Sequence, residues 1–367
     1  MKKVLSIVLC FVMIFSITAC SGNKTANENT TKTITDHAGN QVEIPTKIER
    51  IVVNGIYPLP SCLTVFFDSA DKIVGMPSQS MLAAEKSILS ELYPEILKAD
   101  TTFTENDDIN IESLIKLNPD IVFYSANDTK TYEKLKNAGI PGVGISVNKW
   151  GYNSIETLDN WISLLSEIFP ENDKAEKVHN ASNKIYELVQ ERTKNLSDNE
   201  KAKVFFLFQY SENNILTSGD NFFGDWWADA IGAKNVAKEL KGDNAQAVRM
   251  EQIYGWDPEI IFVTNFTKAM PDDLYNNTTG NFDWSKISAV TNKKVYKMPL
   301  GMYRSYTPGV DTPITLLYLA KATYPELFKD IDITEETVKY YKDVFGINLT
   351  QKQASQIFNP LNAGFDK

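Results

Sequence analysis

The sequence predicts an α/β protein in which two similar α/β lobes are joined by one long backbone helix, with a ligand cleft between the lobes. Three observations predict this architecture. Short β-branched runs alternate with helical stretches in both halves of the chain. A single uninterrupted amphipathic segment separates the halves, and one helix–turn–strand motif occurs once in each half.

The amino terminus has the pattern of an export signal. Two lysines precede an apolar run over residues 4–17, which is shorter than the roughly 20 apolar residues of a membrane span. The run ends in Ile17-Thr18-Ala19-Cys20, which resembles the bacterial lipobox. This resemblance implies that residues 1–19 are a signal peptide and that Cys20 carries a lipid after cleavage. The alternative is an ordinary signal peptide that happens to contain a cysteine.

Residues 20–32 are predicted to be a lipidated flexible tether. They are mostly Ser, Asn, Thr, Lys and Glu, so they have almost no apolar surface to bury. A lipid on such a tether places the protein at the cell membrane, on its extracytoplasmic face.

Composition excludes some classes of function. The formal net charge of −10 makes nucleic acid a poor partner, because that affinity comes mainly from basic residues that neutralise phosphates. The chain is 43% hydrophobic and 367 residues long, as expected for a globular protein of about two domains. With three cysteines, of which two lie in the signal and lipobox, no disulfide framework is available. Cys62 lies in an apolar segment and is predicted to be a buried small hydrophobe.

The first lobe is predicted to span residues 33–169. Its strands are expected at residues 50–54, 72–75, 120–124 and 143–147, and its helices at 59–67, 111–117 and 131–138. This alternation favours parallel βαβ layering.

The backbone helix is predicted within residues 170–197. The Asp-Lys-Ala-Glu sequence at 173–176 has the spacing of a capping box, and apolar residues then recur at steps of three and four without Gly or Pro. A helix of about 23 residues is about 35 Å long, enough to span two lobes.

The second lobe is predicted to span residues 198–330 in the same style. Its strands are expected at 203–210, 259–264 and 294–298, and its helices at 223–231 and 312–322. Residues 331–367 are interpreted as a helical cap on this lobe followed by a polar tail.

The internal repeat joins the two halves of the prediction. Glu112 and Pro119 are followed 139 positions later by Glu251 and Pro258. In each copy a helix stops before the proline, which disfavours helix in the preceding residue, and an apolar strand follows. Each lobe is therefore expected to contain the same helix–turn–strand unit.

From about Lys32 to Phe328 the chain resembles the periplasmic-binding-protein family of ABC importers for iron–siderophores, haem and corrinoids. The resemblance rests on the paired Glu–Pro unit and on the segments Ile34-Thr35-Asp36-His37-Ala38-Gly39-Asn40 and Gly232-Ala233-Lys234-Asn235-Val236. It implies a monomer that captures a small molecule and delivers it to ABC permease subunits. It also implies that Glu112 and Glu251 dock on the permease; the alternative is two ordinary solvated glutamates early in a helix.

Loops that follow the predicted strands are the candidates for contacting the ligand. Tyrosine and tryptophan offer flat faces with a polar edge, and arginine offers a fork for an anionic oxygen. The predicted ligand-binding residues are Tyr57, Trp150, Tyr152, Tyr210, Phe222, Tyr303, Arg304 and Tyr306. Arg304, which lies between Tyr303 and Tyr306, is the leading candidate.

The chemistry of the chain favours a chelated metal as the ligand. Only two histidines, His37 and His179, are available, so no direct metal site and no cofactor are expected. A ferric siderophore, in which the chelator holds Fe(III), is the leading prediction. Because basic loop residues are few, a small oxyanion such as molybdate or tungstate stays open, as does a corrinoid.

An enzyme is not expected, because no Ser-His-Asp order, Gly-rich phosphate loop, HExxH or CxxC pattern is present. Two readings stay open at this stage: a hydrolase that uses carboxylates alone, and a sensor or adhesion lipoprotein without a transport role.

Overall fold

The computed structural model describes residues 30–105, 108–171 and 173–361. The predicted signal peptide and the lipidated Cys20 therefore lie outside the described residues. The predicted tether is described only at its end, where the first strand already begins at Thr31 because alternating Thr-Lys-Thr-Ile-Thr pairs with a partner strand.

The first lobe contains the elements up to residue 168. They are β1 (Thr31–Thr35), β2 (Gln41–Pro45), β3 (Ile51–Val53), α1 (Leu59–Phe67), β4 (Ile73–Gly75), α2 (Ser78–Lys86), α3 (Ile88–Leu92), β5 (Thr104–Glu105), β6 (Asp108–Ile109), α4 (Ile111–Lys116), β7 (Ile121–Ser125), α5 (Thr129–Asn137), β8 (Gly142–Ile145) and α6 (Ser154–Ile168). The central sheet has the order β4-β3-β7-β8 and all its pairs are parallel, as predicted. Helices cover both faces of such a sheet, and β3 and β8 are accordingly buried throughout.

One helix, α7 (Lys174–Thr193), connects the lobes and is about 30 Å long at 1.5 Å per residue. Val178 packs into the core of the first lobe, Val189 packs into the core of the second, and Ile185 contacts both. The helix therefore spans the two cores, as predicted. The predicted capping box is wrong, because the Asp173 side chain makes no cap hydrogen bond and pairs instead with Lys177 at 2.9 Å.

The second lobe contains β9 (Lys203–Tyr210), β10 (Ile215–Ser218), α8 (Phe223–Ala230), β11 (Lys234–Asn235), β12 (Ala245–Val248), α9 (Met250–Trp256), β13 (Ile260–Val263), α10 (Pro271–Asn276), α11 (Ser288–Thr291), β14 (Val295–Lys297) and α12 (Thr312–Thr323). Strands β9, β13 and β14 are parallel neighbours. The central sheet of this lobe is mixed, whereas that of the first lobe is all parallel, because β10 is antiparallel to both β9 and β12. A tight connection after β9 allows this hairpin.

The internal repeat is confirmed at the level of individual contacts. Asn118 and Asp257, which precede the two prolines, both adopt a left-handed backbone with φ of 46° and 42°. The carbonyl of Leu117 accepts a hydrogen bond from Arg50 at 2.9 Å, and the carbonyl at the equivalent position 256 accepts one from Lys203 at 2.8 Å. Each lobe thus ends its repeated helix against a basic side chain at the start of its first central strand, Arg50 directly before β3 and Lys203 as the first residue of β9.

The carboxyl-terminal elements α13 (Ile333–Tyr340), a π-helical turn (Tyr341–Phe345) and α14 (Gln351–Phe358) correct the prediction of a cap on the second lobe. Tyr341, Phe345 and Ile357 are buried in the hydrophobic core of the first lobe. The chain therefore returns from α12 to the lobe in which it began. None of the helices within the described ranges is both long and apolar enough to cross a membrane.

Candidate ligand-binding cleft

The candidate cleft lies where the carboxyl ends of the parallel strands of both lobes meet. This is the usual ligand position in open α/β sheets, because loops from neighbouring strands converge there. The first lobe contributes the loops after β3 and β4, and the second lobe contributes the loops after β13 and β14. Their meeting point is the side chain of Arg304, which donates to Oε1 of Gln79 at 3.4 and 3.5 Å.

Arg304 is the leading candidate of the sequence, and the residue is only 1% exposed. Its Cζ atom lies 5.2 Å from the ring centre of Phe266 and 5.7 Å from that of Tyr303, so two aromatic rings pack against the cation. Burial raises the pKa of Tyr303 to about 12, although the neighbouring Arg304 charge acts to lower it. The phenol therefore stays neutral and can serve as a hydrogen-bonding group beside the cation.

The first lobe brings two more groups to this point. Tyr57 follows β3, is half-buried, and interacts electrostatically with Arg304. Gln79 lies in the first turn of α2. The next residue, Ser80, donates its hydroxyl to the backbone carbonyl of Tyr57 at 2.7 Å, which joins this helix to the loop after β3. At the start of α2, the backbone N–H of Ser80 already donates to the carbonyl of Pro77 at 2.9 Å, so the first-turn donors without an intrahelical partner are those of Ser78 and Gln79. Arg304, Gln79 and this helix end together form a region rich in hydrogen-bond donors.

The structure separates the other predicted aromatic residues into two groups. Trp150 and Phe222 are half-buried at loop positions, and Trp150 packs edge-on against His37 with ring centres 5.0 Å apart. Tyr152, Tyr210 and Tyr306 are buried instead in the cores of the second lobe.

The hydroxyl groups of those three tyrosines serve the fold. Tyr152 donates to the carbonyl of Asp243 and Tyr210 donates to the carbonyl of Thr279, both at 2.7 Å. Tyr306 accepts from the backbone of Gly224 at 3.0 Å. These contacts give the three hydroxyl groups a structural role. The assignment of the tyrosines as ligand residues stays a prediction, because Tyr210 lines a cavity of about 600 Å³ and Tyr306 contacts the rings of Phe208, Phe222 and Phe266.

Three residues at the cleft were missed by the sequence reasoning: Gln79, Phe208 and Phe266. Phe208 stacks on Phe266 with ring centres 5.2 Å apart and contacts Phe222 at 5.6 Å. All three phenylalanines are half-buried. The positions of Phe208 near the end of β9 and Phe266 just after β13 were the available signal, because ligand loops follow parallel strands.

A buried lysine holds the loop that carries Phe266. Lys297, on β14, donates to the carbonyl oxygens of Thr264, Thr267 and Ala269 at 2.8, 3.1 and 2.7 Å. Beside this loop is a cavity of about 600 Å³ whose lining includes Phe266 and Lys268. The second-lobe wall of the cleft is thus a clasped aromatic loop next to an open cavity.

Within residues 30–105, 108–171 and 173–361, no group of three or more His, Cys, Asp or Glu side chains could hold a metal ion. His37 accepts from the backbone of Ser146 at 3.2 Å, and burial with the nearby Lys149 lowers its pKa to about 4. Cys62 is buried as predicted, and burial raises its pKa to about 12. The thiolate that a nucleophile requires is therefore strongly disfavoured.

The two predicted docking residues occupy the same place in their lobes. Glu112 and Glu251 are both exposed and lie in the first turns of α4 and α9. Both project from the surface at a position where the helix dipole favours an acid.

Comparison with known proteins agrees with this architecture. A family model described as "Periplasmic binding protein" matches residues 69–300. The chain belongs to the periplasmic binding protein family. It is a solute-binding protein and not an enzyme, as the sequence predicted.

Relatives of this periplasmic binding protein are named for different ligands. The molybdate-binding protein MolA of Haemophilus influenzae is 27% identical over 85% of this chain and 90% of its own. The Fe(3+)-citrate-binding protein YfmC of Bacillus subtilis is 25% identical over 51% of this chain and 56% of its own. A solved periplasmic solute-binding protein of Veillonella parvula is 30% identical, with a TM-score of 0.80 over 92% of this chain and 99% of that one.

Proposed function

We propose that this chain is the extracytoplasmic substrate-binding lipoprotein of an ABC importer and that it captures a small oxyanion, such as molybdate or tungstate, around Arg304. The observation that carries the ligand class is the buried guanidinium of Arg304, held between Phe266 of the second lobe and Gln79 of the first. A buried cation of one lobe beside a side-chain amide of the other suits a compact anion that accepts many hydrogen bonds.

The short distance between Arg304 and Gln79 supports a small ligand. Arg304 and Gln79 already stand 3.4 Å apart, so a compact anion can exchange for this contact with little movement of the lobes. A large chelate requires the lobes to separate at this point. The molybdate-binding relative, which aligns over most of this chain, supports the same choice.

A ferric chelate, which the sequence favoured, is the second candidate. The half-buried rings of Phe208, Phe222 and Phe266 offer an apolar wall, and the adjoining cavity of about 600 Å³ has room for a chelator. The Fe(3+)-citrate-binding relative favours this reading over half of the chain. A corrinoid has no comparable support among these features.

Delivery and anchoring follow from the remaining features. Exposed Glu112 and Glu251 at matching positions provide two acidic contacts that orient the protein on basic residues of the permease. The lipid on Cys20, directly after the lipobox residues, supplies the membrane anchor, and the protein works as a monomer.

The test is a ligand panel on the protein without its signal peptide and lipid. Isothermal titration with molybdate, tungstate, sulfate, phosphate, ferric citrate and a ferric catecholate distinguishes the candidates. We expect tight, saturable binding of molybdate or tungstate, and loss of that binding in Arg304→Ala. Binding of a ferric chelate alone replaces the first candidate with the second, and no binding of any member supports a sensor or adhesion role.

A further inference from the structure

The loop that carries Arg304 lies between β14 and α12, and its residues 300–306 are all buried. Leu300 and Arg304 form an isolated bridge, and the backbone of Ser305 donates to Pro299 at 3.2 Å. These contacts close a tight turn, but they do not determine where the turn lies relative to the first lobe. The position of the guanidinium therefore depends on what holds the turn from outside.

Asp311 holds the turn from one side. Its Oδ2 atom accepts hydrogen bonds from the backbone of Met302 at 2.8 Å and of Tyr303 at 3.4 Å, the two residues directly before Arg304. The approach is so close that a Cβ atom on Gly301 would lie 2.0 Å from Oδ1 of this carboxylate. Glycine at position 301 is thus required for the close approach of the Asp311 carboxylate to this turn.

The carboxyl-terminal segment holds Asp311 in turn. The hydroxyl of Tyr341, in the π-helical turn, donates to Oδ1 of Asp311, and the hydroxyl of Tyr340 donates to the carbonyl of Val310 at 2.9 Å. Further along, the carbonyl of Ile357 accepts from the backbone of Leu300. Both tyrosines are buried in the core of the first lobe, so the Arg304 loop is fastened to that lobe by the carboxyl-terminal segment.

We infer that Asp311 and Tyr341 are positioning residues for Arg304, and that the carboxyl-terminal segment is an integral part of the ligand site. This inference rests on the proposed role of Arg304 in binding an anion. An arginine side chain that is ordered before binding loses less conformational entropy when it engages the ligand, and a displacement of about 1 Å weakens its hydrogen bonds. The segment beyond residue 331 thereby acquires a function that its sequence pattern did not indicate.

The first measurement compares ligand affinity among variants, with molybdate as the probe and at a temperature at which all are folded by circular dichroism. Asp311→Ala and Tyr341→Phe are expected to weaken binding about tenfold, a difference of about 1.4 kcal/mol. Asp311→Asn is expected to restore affinity to within about threefold, because its amide oxygen still accepts from Met302 and Tyr303. Tyr324→Phe, which removes a hydroxyl that bonds to Gly232 at 2.9 Å elsewhere, is the control for stability alone.

The glycine offers an independent route to the same result. Gly301→Ala is expected to displace the Asp311 carboxylate and to weaken binding as much as Asp311→Ala does. In the Asp311→Ala background the added methyl group meets no carboxylate, so the second substitution should have little further effect. Additive losses of affinity from the two substitutions would contradict the inference that Asp311 holds this turn.

A second measurement needs no ligand and separates this inference from the proposed function. Hydrogen exchange of the ligand-free protein should show lost protection at residues 301–305 in Asp311→Ala and Tyr341→Phe, but not in Tyr324→Phe. Unchanged protection there overturns the inference even if molybdate binds. Lost protection in a protein that binds no anion supports the positioning and overturns the proposed ligand.

Discussion

Arg304 and Gln79 are 225 positions apart in the chain, yet their side chains meet at 3.4 Å across the junction of the two lobes. In the proposed site, this contact marks the point at which a bound molecule touches both lobes at once. It also explains why Arg304 is buried although it lies in a loop. A guanidinium removed from water in this way interacts more strongly with an anion than a surface arginine does, because water screens it less.

Replacement of Arg304 by lysine is expected to weaken oxyanion binding about 10- to 100-fold, because an ammonium group cannot make the paired hydrogen bonds of a guanidinium. Titration calorimetry with molybdate or tungstate measures the change. Arg249→Lys, at an exposed position before α9, is the matched control and should bind like the unmodified protein. Equal affinities for both variants would remove Arg304 from the site.

Replacement of Glu112 or Glu251 by glutamine is expected to impair uptake while ligand affinity stays unchanged. Both carboxylates are exposed and the substitutions remove charge without disturbing packing, so only the encounter with a partner should suffer. Uptake into cells or permease-containing vesicles is the measurement. Glu176→Gln, an exposed acid in the first turn of α7, is the control; if it impaired uptake equally, docking would not be specific to the repeated pair.

Replacement of Lys297 by methionine is expected to lower the free energy of unfolding by about 2–4 kcal/mol. The substitution leaves the carbonyls of Thr264, Thr267 and Ala269 without their shared donor in a buried position. Urea denaturation measures the loss, and Lys294→Met at an exposed position beside β14 is the control. Equal stabilities of the two variants would show that the hydrogen bonds of Lys297 contribute nothing to stability.

Asp311 and His37 are expected to affect stability in opposite directions between about pH 4 and pH 6. Burial raises the pKa of Asp311 from 3.8 to about 6, so the unfolded chain loses this proton first and stability falls as the pH rises through the window. Burial lowers the pKa of His37 from 6.5 to about 4, so the unfolded chain gains this proton first and stability falls as the pH decreases. Three groups that interact with Asp311 or with each other around it stay neutral throughout this window, because burial raises their pKa values. They are Tyr340, Tyr341 and Cys62.

The substitution Asp311→Asn isolates these effects. It removes the stabilisation that wild-type protein gains on acidification, so its stability should decrease more steeply from about pH 6 to about pH 4. Urea denaturation across this range gives the two slopes. Identical slopes would show that Asp311 does not titrate within the window.

Replacement of Cys20 by alanine is expected to abolish lipid attachment and to release the protein from the membrane, because the lipid is attached through the thiol. Metabolic labelling with a radioactive fatty acid and fractionation of the cells measure both effects. The chain with Cys62→Ala is the control, because that thiol is buried in the first lobe and should not affect labelling. Labelling that survives loss of Cys20 would contradict the lipobox assignment.

Much of the fold could be predicted because its signals are local. The buried strands β3, β7 and β13 are short apolar runs, and the residues before Pro119 and Pro258 end their helices where the sequence indicated. The hairpin β9–β10 and the helix α6 were not predicted. The hairpin depends on how its apolar face packs against other elements. The helix α6 does have a local signal, since Ile155, Leu158, Trp161 and Leu165 follow the Asn153 cap at three- and four-residue steps, and that signal was missed.

The site was predicted only in part for the same reason. Arg304 and Tyr57 were recognised because arginine and tyrosine are conspicuous residues in loops. Phe208 and Phe266 resemble ordinary core residues in the sequence, and the hydroxyl partners of Tyr210 and Tyr306 lie in segments that are distant in the chain.

The sequence by itself determined that this protein has two related α/β lobes and a connecting helix, because periodicity, proline positions and a repeat at constant spacing are written in consecutive residues. Only the tertiary structure decided that the carboxyl-terminal segment returns to the first lobe, and that Tyr341 and Asp311 hold the loop of Arg304. Those contacts join residues that are distant in the chain. They arise from the packing of whole elements, which no local pattern records.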